Sequence, residues 1–212
     1  MTKSLELFAG SCSFSNVAKT YGYNTVTTDI KAFNGIDFIS DILNFNIDQV
    51  LDNFGVPDIV WASPPCTYFS VASIGKHWNL DNTPKTKQAA LGIKIIEKTI
   101  DIINAFKRMN KDLAFICENP RGKLRKLNLL DNDLLHTVTY CQYGDSRMKP
   151  TDIWTNINWT PRKMCKNGQP CHEAAPRGSR TGTQGLKGNF NRSKVPNELC
   201  QELIEAYIKE VT

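Results

Sequence analysis

The chain has 212 residues, of which 41% are hydrophobic, enough for one sizeable domain with a full core and hardly two. It contains no cleavable leader and no apolar run of membrane-spanning length, which argues against secretion and membrane anchoring and predicts a cytoplasmic protein of a bacterial or phage-infected cell. The net charge of +5 is unevenly placed: residues 161–194 hold eight Lys or Arg against one acid, so this stretch carries +7 and the remainder −2, the signature of a phosphate-facing surface.

In chain order, short apolar runs over 5–8, 25–28, 59–62, 114–117, 137–141 and 153–155 predict strands, and 15–21, 86–109 and 195–208 predict helices. The alternation is a βαβ rhythm, which predicts an α/β domain built on a mostly parallel, doubly wound sheet. In the long helix, Leu91, Ile95, Ile96, Thr99, Ile102, Ile103 and Phe106 recur at three- and four-residue steps and predict a core-facing stripe. Regular periodicity disappears over 160–191 in favour of Gly, Pro, Lys and Arg. The expected organisation is a catalytic and cofactor-binding part over 1–159, a small basic loop-rich insert over 160–191, and a closing helix within 192–212 that completes the first part. Seven cysteines without a framework spacing predict reduced thiols, and the richness in Asn, Ile and Lys fits an AT-rich, phage-like genome.

The decapeptide Trp61-Ala62-Ser63-Pro64-Pro65-Cys66-Thr67-Tyr68-Phe69-Ser70 sets a cysteine directly after a rigid Pro-Pro turn. The prolines, with fixed φ and no N–H to donate, end the preceding strand at the carboxyl edge of the sheet, where open α/β sheets bind ligands. A thiol there is placed to act as a nucleophile, against the bland reading of an inert buried cysteine. Ala114-Phe115-Ile116-Cys117-Glu118-Asn119 reads as a buried strand that ends in a carboxylate, a setting that favours a raised pKa. A strand followed by small residues, Phe8-Ala9-Gly10-Ser11-Cys12-Ser13, opens the chain, and Asp29 stands at the end of the second strand, where an acid can take ribose hydroxyls.

Phe8-Ala9-Gly10, Pro64-Pro65-Cys66-Thr67-Tyr68-Phe69-Ser70 and Glu118-Asn119-Pro120 stand in the order and spacing of the first, fourth and sixth motifs of the cytosine-C5 DNA methyltransferases, which the chain resembles from Leu5 to about Tyr207. Two departures stand out: Gly10-Ser11-Cys12-Ser13 where the family usually has Gly-x-Gly-Gly, and Pro120 where Val is usual. The resemblance implies a Rossmann-like S-adenosylmethionine-dependent methyltransferase fold. It also implies methyl transfer to C5 of cytosine in double-stranded DNA, as in restriction-modification systems, through a covalent Cys66–C6 intermediate on a flipped base, by a monomer.

On the same grounds, Cys66 is the nucleophile and Glu118 the acid at N3 of the base. Arg147-Met148-Lys149 is similar to the eighth motif, with Arg147 on cytosine O2 and Lys149 as a point charge. The cofactor is bordered by Phe8, Ala9, Gly10, Ser11, Cys12 and Ser13, by Asp29 and Ile30 at the ribose, by Asp41 and Ile42 at the adenine, by Pro64, and by Asn189 of the last motif. Residues 70–82 correspond to a loop that closes over the base, with Gly75 as hinge and Ser70 and Lys76 near DNA. Arg177, Arg180 and Lys187 of the insert are expected on phosphates.

Cys165, Cys171 and His172 offer three metal-compatible ligands in the insert, suiting a structural zinc, although the spacing is not a standard knuckle and no fourth ligand is evident. The alternatives are an RNA cytosine-C5 enzyme, which would use a cysteine in the Glu118 strand such as Cys117, and a catalytically silent DNA-binding module. The latter would be expected to have lost Cys66 or Glu118. An amino methyltransferase would place an aromatic residue after Pro-Pro, where Cys66 stands.

Overall fold

A computed structural model describes residues 1–174, 186 and 188–212. In chain order the elements are β1 (Lys3–Leu7), α1 (Ser13–Thr20), β2 (Asn24–Asp29), β3 (Phe38–Ile39), α2 (Ile47–Asn53), β4 (Ile59–Ala62), α3 (Ile74–His77), α4 (Lys87–Met109), β5 (Ala114–Pro120), β6 (Leu135–Thr139), β7 (Pro150–Thr155), α5 (Asn189–Ser193) and α6 (Asn197–Val211). The strands form one seven-stranded sheet ordered β3-β2-β1-β4-β5-β7-β6. All pairings are parallel except those of β7, which runs antiparallel to β5 and β6. This is the mostly parallel, doubly wound α/β architecture expected from the sequence.

Side-chain alternation along the central strands explains why both faces are covered. In β4, Val60 and Ala62 join Leu5, Leu7, Phe115 and Cys117 on one face, where α4 packs with Ile96, Ile102, Ile103 and Phe106. Ile59 and Trp61 join Ala114, Ile116 and Ile153 on the other face, against Phe14 and Val17 of α1 and Leu199, Leu203 and Ile204 of α6. Phe14 stacks on Trp61 with ring centroids 4.9 Å apart. Each such large side chain stabilises the fold by roughly 1.5–3 kcal/mol.

Several boundaries differ from the sequence expectation for physical reasons. Two-residue β3 is too short for any periodicity to register. Tyr140 and Cys141, expected in a strand, turn instead into a 3-10 helix, Tyr140–Tyr143. The long helix starts just after Thr86, whose hydroxyl accepts from the Ala89 N–H at 3.2 Å. Leu91 of the predicted stripe is exposed; the inward position at that turn belongs to Gly92, where the Phe69 ring lies 3.1 Å from the site of an added Cβ. The closing helix begins beyond Pro196 and runs three residues further than its apolar pattern.

The chain winds outward from β1 to β3, then returns to the other side of β1 as β4. That reversal opens a crevice at the carboxyl ends of β1 and β4. The antiparallel β7 brings the β6–β7 connection, residues 140–149, back to the same edge.

Candidate active site

On the β1 side of the crevice the turn after β1 holds three left-handed residues in five: Phe8 (φ 59°), Gly10 (φ 47°) and Cys12 (φ 53°). For Phe8 and Cys12 this conformation carries a cost on the order of 1–2 kcal/mol, and Cys12 adopts it at a position where the resemblance leads one to expect glycine. The turn is pinned from β2, since the Ala9 N–H donates to Thr28 O (2.9 Å) and the Gly10 N–H to Asp29 Oδ2 (3.0 Å). Cys12 has no capping side chain of its own. The start of α1 is capped instead by Glu6, buried in β1, which accepts from Phe14 N–H (3.3 Å) and Ser15 N–H (2.8 Å). Burial lifts the Glu6 carboxyl to about 7 despite those bonds. Nothing in its neighbourhood in the chain marked Glu6; only the fold brings it under the helix.

Asp29 also accepts from Lys31 N–H (2.9 Å), and Ile30 beside it, a large apolar side chain, is 62% exposed. Asp41 caps a 3-10 turn by accepting from Leu43 N–H (3.0 Å), with Ile42 buried beneath. Ser11 and Ser13 pair through their hydroxyls at 2.8 Å, and Val195 N–H reaches Ser13 Oγ at 3.2 Å. The C-terminal segment thus returns to the first turn, and Phe190 meets Phe33 with centroids 5.3 Å apart. Asn189 opens α5; its side chain, like Arg177, Arg180 and Lys187, lies outside the described residues.

On the β4 side, the Cys66 carbonyl accepts from Phe69 and Ser70 N–H, each at 3.0 Å, closing the turn that follows Pro64-Pro65. Asn119 Nδ2 donates to the buried Pro64 carbonyl at 2.9 Å, fixing the turn to β5 across 55 residues of sequence. A further support is Gly122. A Cβ there would lie 2.2 Å from Phe69 O, so only glycine allows this approach, through which Lys123 N–H reaches the same carbonyl at 2.7 Å. The Cys66 side chain is half-buried. Burial pushes its thiol up, and Lys149 opposes that by favouring the thiolate.

Glu118 sits next in register after Cys117, whose partner on β4 is Ala62. Tyr140 O–H donates to Glu118 Oε1 at 2.7 Å, and Lys149 Nζ lies 3.6 Å from that oxygen and 4.5 Å from the centre of the Tyr140 ring. Complete burial and the neighbouring carboxylate hold the Tyr140 hydroxyl well above its ordinary range, so it stays a donor. Tyr140 was not singled out from sequence, because its importance depends on the turn that the strand reading missed.

Arg147 is differently employed. Its guanidinium forks onto Asp145 and donates to the carbonyls of Arg192 (3.1 Å) and Lys194 (3.2 Å), with 3% of its surface exposed. It ties the C-terminal segment to residues 145–147, and Lys149 is the cation adjoining Glu118. Cys117 points into the core at 1% exposure, where burial drives its pKa far up.

Residues 70–82 are more built than a bare loop. Trp78 is buried, its Nε1–H donating to Tyr68 O at 2.6 Å, and Lys123 Nζ donates to Asn82 Oδ1 at 2.6 Å. Gly75, expected as a hinge, lies inside α3 without a positive φ. Ser70 is half-buried and bonded to Ser73, whereas Lys76 is exposed. In the basic stretch, Arg162 is paired with Glu198 (2.7 Å) and Glu202 (2.8 Å) of α6, so its charge is neutralised rather than offered outward.

No family model matches the chain. A Frog virus 3 protein named a probable DNA (cytosine-5)-methyltransferase is 29% identical over 219 residues, covering 95% of this chain and 98% of that one. Over nearly its whole length the chain is thus similar to a protein named for cytosine-C5 methylation of DNA. A Methanocaldococcus jannaschii protein named as a type II methyltransferase is 32% identical over 163 residues, spanning 73% of this chain and 49% of its own length. Among solved structures, a variant of Spodoptera frugiperda DNMT2 aligns with a TM-score of 0.45 and 18% identity, covering 80% of this chain and 57% of that one. The crevice divides into a turn-and-carboxylate half and a thiol-and-acid half. Among the described residues no helix is long and apolar enough to cross a membrane.

Proposed function

We propose that this protein methylates C5 of cytosine in DNA, using S-adenosylmethionine. The observation that carries the reading is the convergence, at one end of β4 and β5, of a thiol after a fixed Pro-Pro turn with a buried carboxylate that holds both a phenol and an ammonium.

The residues present fit the cofactor. Asp29 spends one lone pair on each oxygen holding main-chain amides and keeps others for ribose hydroxyls. The exposed Ile30 offers an apolar face for the adenine, and Asp41 stands at the adenine end. Gly10, with its amide held toward Asp29, lets the turn pass close to the ligand. S-adenosylmethionine, when bound, supplies an electrophilic methyl group.

Cytosine C5 becomes nucleophilic only after attack at C6. Cys66, as thiolate, forms the S–C6 bond, and the displaced π electron pair moves toward C5 while N3 gains a proton or a strong hydrogen bond from Glu118. Tyr140 and Lys149 hold Glu118 in place. Lys149 favours the thiolate while Glu118 opposes it, so the pair together sets the fraction of Cys66 ready to attack. After C5 takes the methyl, loss of the C5 proton to a base restores the double bond as the S–C6 bond breaks and the thiolate leaves. A half-buried thiol behind a rigid turn cannot reach a stacked cytosine face, so the base is flipped out of the duplex. Residues 1–159 and 192–212 carry this chemistry in the proposal, and the short basic insert over 160–191 serves as a reduced target-recognition region.

The RNA-type reading places the nucleophile at Cys117, and the deep burial of that thiol within the sheet disfavours it. The test is direct: incubate the protein with methyl-labelled S-adenosylmethionine and either duplex DNA or RNA, then digest and identify the modified base. Label in 5-methylcytosine from DNA supports the reading. A duplex carrying 5-fluorocytosine, whose C5 substituent cannot leave as a cation, should trap a covalent complex through Cys66. Label appearing only on an exocyclic amine, or only in RNA, would overturn it.

A further inference from the structure

The two cysteines and the histidine of the insert acquire a fourth companion from the turn that follows β6. Cys141, in the 3-10 turn after β6, joins Cys165, Cys171 and His172, and the four ligand atoms all lie within 4.8 Å of one another. Individual separations are 3.2 Å for Cys165–Cys171 Sγ, 3.8 Å for Cys171–Cys141 Sγ, and 3.4 and 3.8 Å from His172 Nδ1 to the sulfurs of Cys165 and Cys171. Thiolates bound at about 2.3 Å around one tetrahedral centre are separated by roughly 3.8 Å, and a thiolate–imidazole edge is slightly shorter. The cluster therefore has the dimensions of a closed metal site.

We propose that Cys141, Cys165, Cys171 and His172 form a structural zinc site. Three thiolates and one imidazole in tetrahedral array select a soft to borderline ion, and four protein ligands leave no open position, which separates this site from catalysis. A second observation supports the need for it. Residues 160–174 contain no helix or strand and not one buried residue, so apolar packing does not hold this segment. Its polar ties include the Arg162 pairs, Arg162 N–H to Tyr143 Oη at 3.0 Å, Arg162 Nη1–H to Gln142 O at 2.6 Å, Cys165 N–H to Thr139 Oγ1 at 2.8 Å and Glu173 N–H to Ser146 O at 2.9 Å. A metal supplies in one centre the energy that a core would otherwise provide. Cys141 follows Tyr140 directly, so the ion also fastens the insert to the turn whose phenol holds Glu118. The inference stands independently of the methyl-transfer reading.

Protein purified under reducing conditions without chelator should contain one zinc per chain by elemental analysis, and stripped protein should rebind zinc with a Kd below about 100 nM. Cobalt(II) added to stripped protein should give an intense near-ultraviolet thiolate charge-transfer band with tetrahedral visible bands. Cys171→Ser and His172→Ala lie at exposed or half-exposed positions and leave the core intact; each should weaken the ion's hold at least tenfold. Cys141→Ser should do the same if the turn after β6 contributes the fourth ligand. Chelation should speed tryptic cleavage after Lys163 and Lys166 without unfolding α6. Substoichiometric zinc with no cobalt thiolate band, a Cys165–Cys171 disulfide in the reduced preparation, or unchanged affinity in Cys141→Ser would each overturn the four-ligand site.

Discussion

The two sides of the crevice between β1 and β4 are built on different principles. The β1 side presents backbone: a turn with three left-handed residues, and main-chain amides held by carboxylates, with Asp29 bonded to Gly10 and Lys31, Asp41 to Leu43, and Glu6 to the first amides of α1. Such a surface recognises a ligand by shape and fixed dipoles and changes little as it acts. The β4 side presents ionisable side chains whose states depend on one another: Cys66, Glu118, Tyr140 and Lys149. Its supports are long-range, with Asn119 reaching back to Pro64 and Gly122 to Phe69. The division teaches that binding and chemistry are separately supported here and are open to separate disruption.

Cys66→Ala gives the largest expected effect. Methyl transfer should disappear while S-adenosylmethionine affinity by calorimetry stays within about twofold, because the thiol belongs to one side and the cofactor to the other. Turnover near the parent rate would abolish the division and covalent catalysis with it. Glu118→Gln should lower kcat by about 10²–10⁴-fold, the usual worth of a positioned acid, again with unchanged cofactor affinity.

The β1 side is tested by Glu6. Its folded pKa of about 7 exceeds the ordinary 4.5, so the native state binds its proton more tightly than the unfolded chain does. This contribution to stability is fully present below about pH 4.5 and falls as pH rises to about 7, by up to about 3 kcal/mol. Urea titrations across that window should show the decline in the parent and a flatter profile in Glu6→Gln. Identical profiles would remove Glu6 as the source.

Lys149→Met should move the rising limb of the pH–rate profile upward, since burial already raises the Cys66 thiol and Lys149 is the strongest influence lowering it. At neutral pH the variant is then slower, and raising the pH restores part of the rate. A uniform loss at every pH would instead assign Lys149 to substrate contact. Smallest in kind is the triple replacement of Arg177, Arg180 and Lys187. If these residues meet phosphates, the log–log salt dependence of DNA binding should flatten by roughly two to three units with cofactor affinity untouched. An unchanged slope would move the DNA path to the surface that carries Arg121 and Lys126.

The sequence by itself determined the fold class and most of the crevice's residues. Apolar runs of strand length fix β1, β4, β5 and β7 because each must be buried on both faces, and Pro-Pro-Cys and Glu-Asn are legible because proline and a strand-end carboxylate impose their geometry locally. Only the tertiary structure decided which groups meet. Tyr140 on Glu118, Cys141 beside Cys171, and the bonds of Arg147 to the Arg192 and Lys194 carbonyls depend on the antiparallel return of β7 and on the docking of the C-terminal segment against the first turn. Contacts of that kind join residues far apart in sequence, where periodicity and turn chemistry carry no information. Their energies come from burial and electrostatic proximity, which exist only after the sheet has closed.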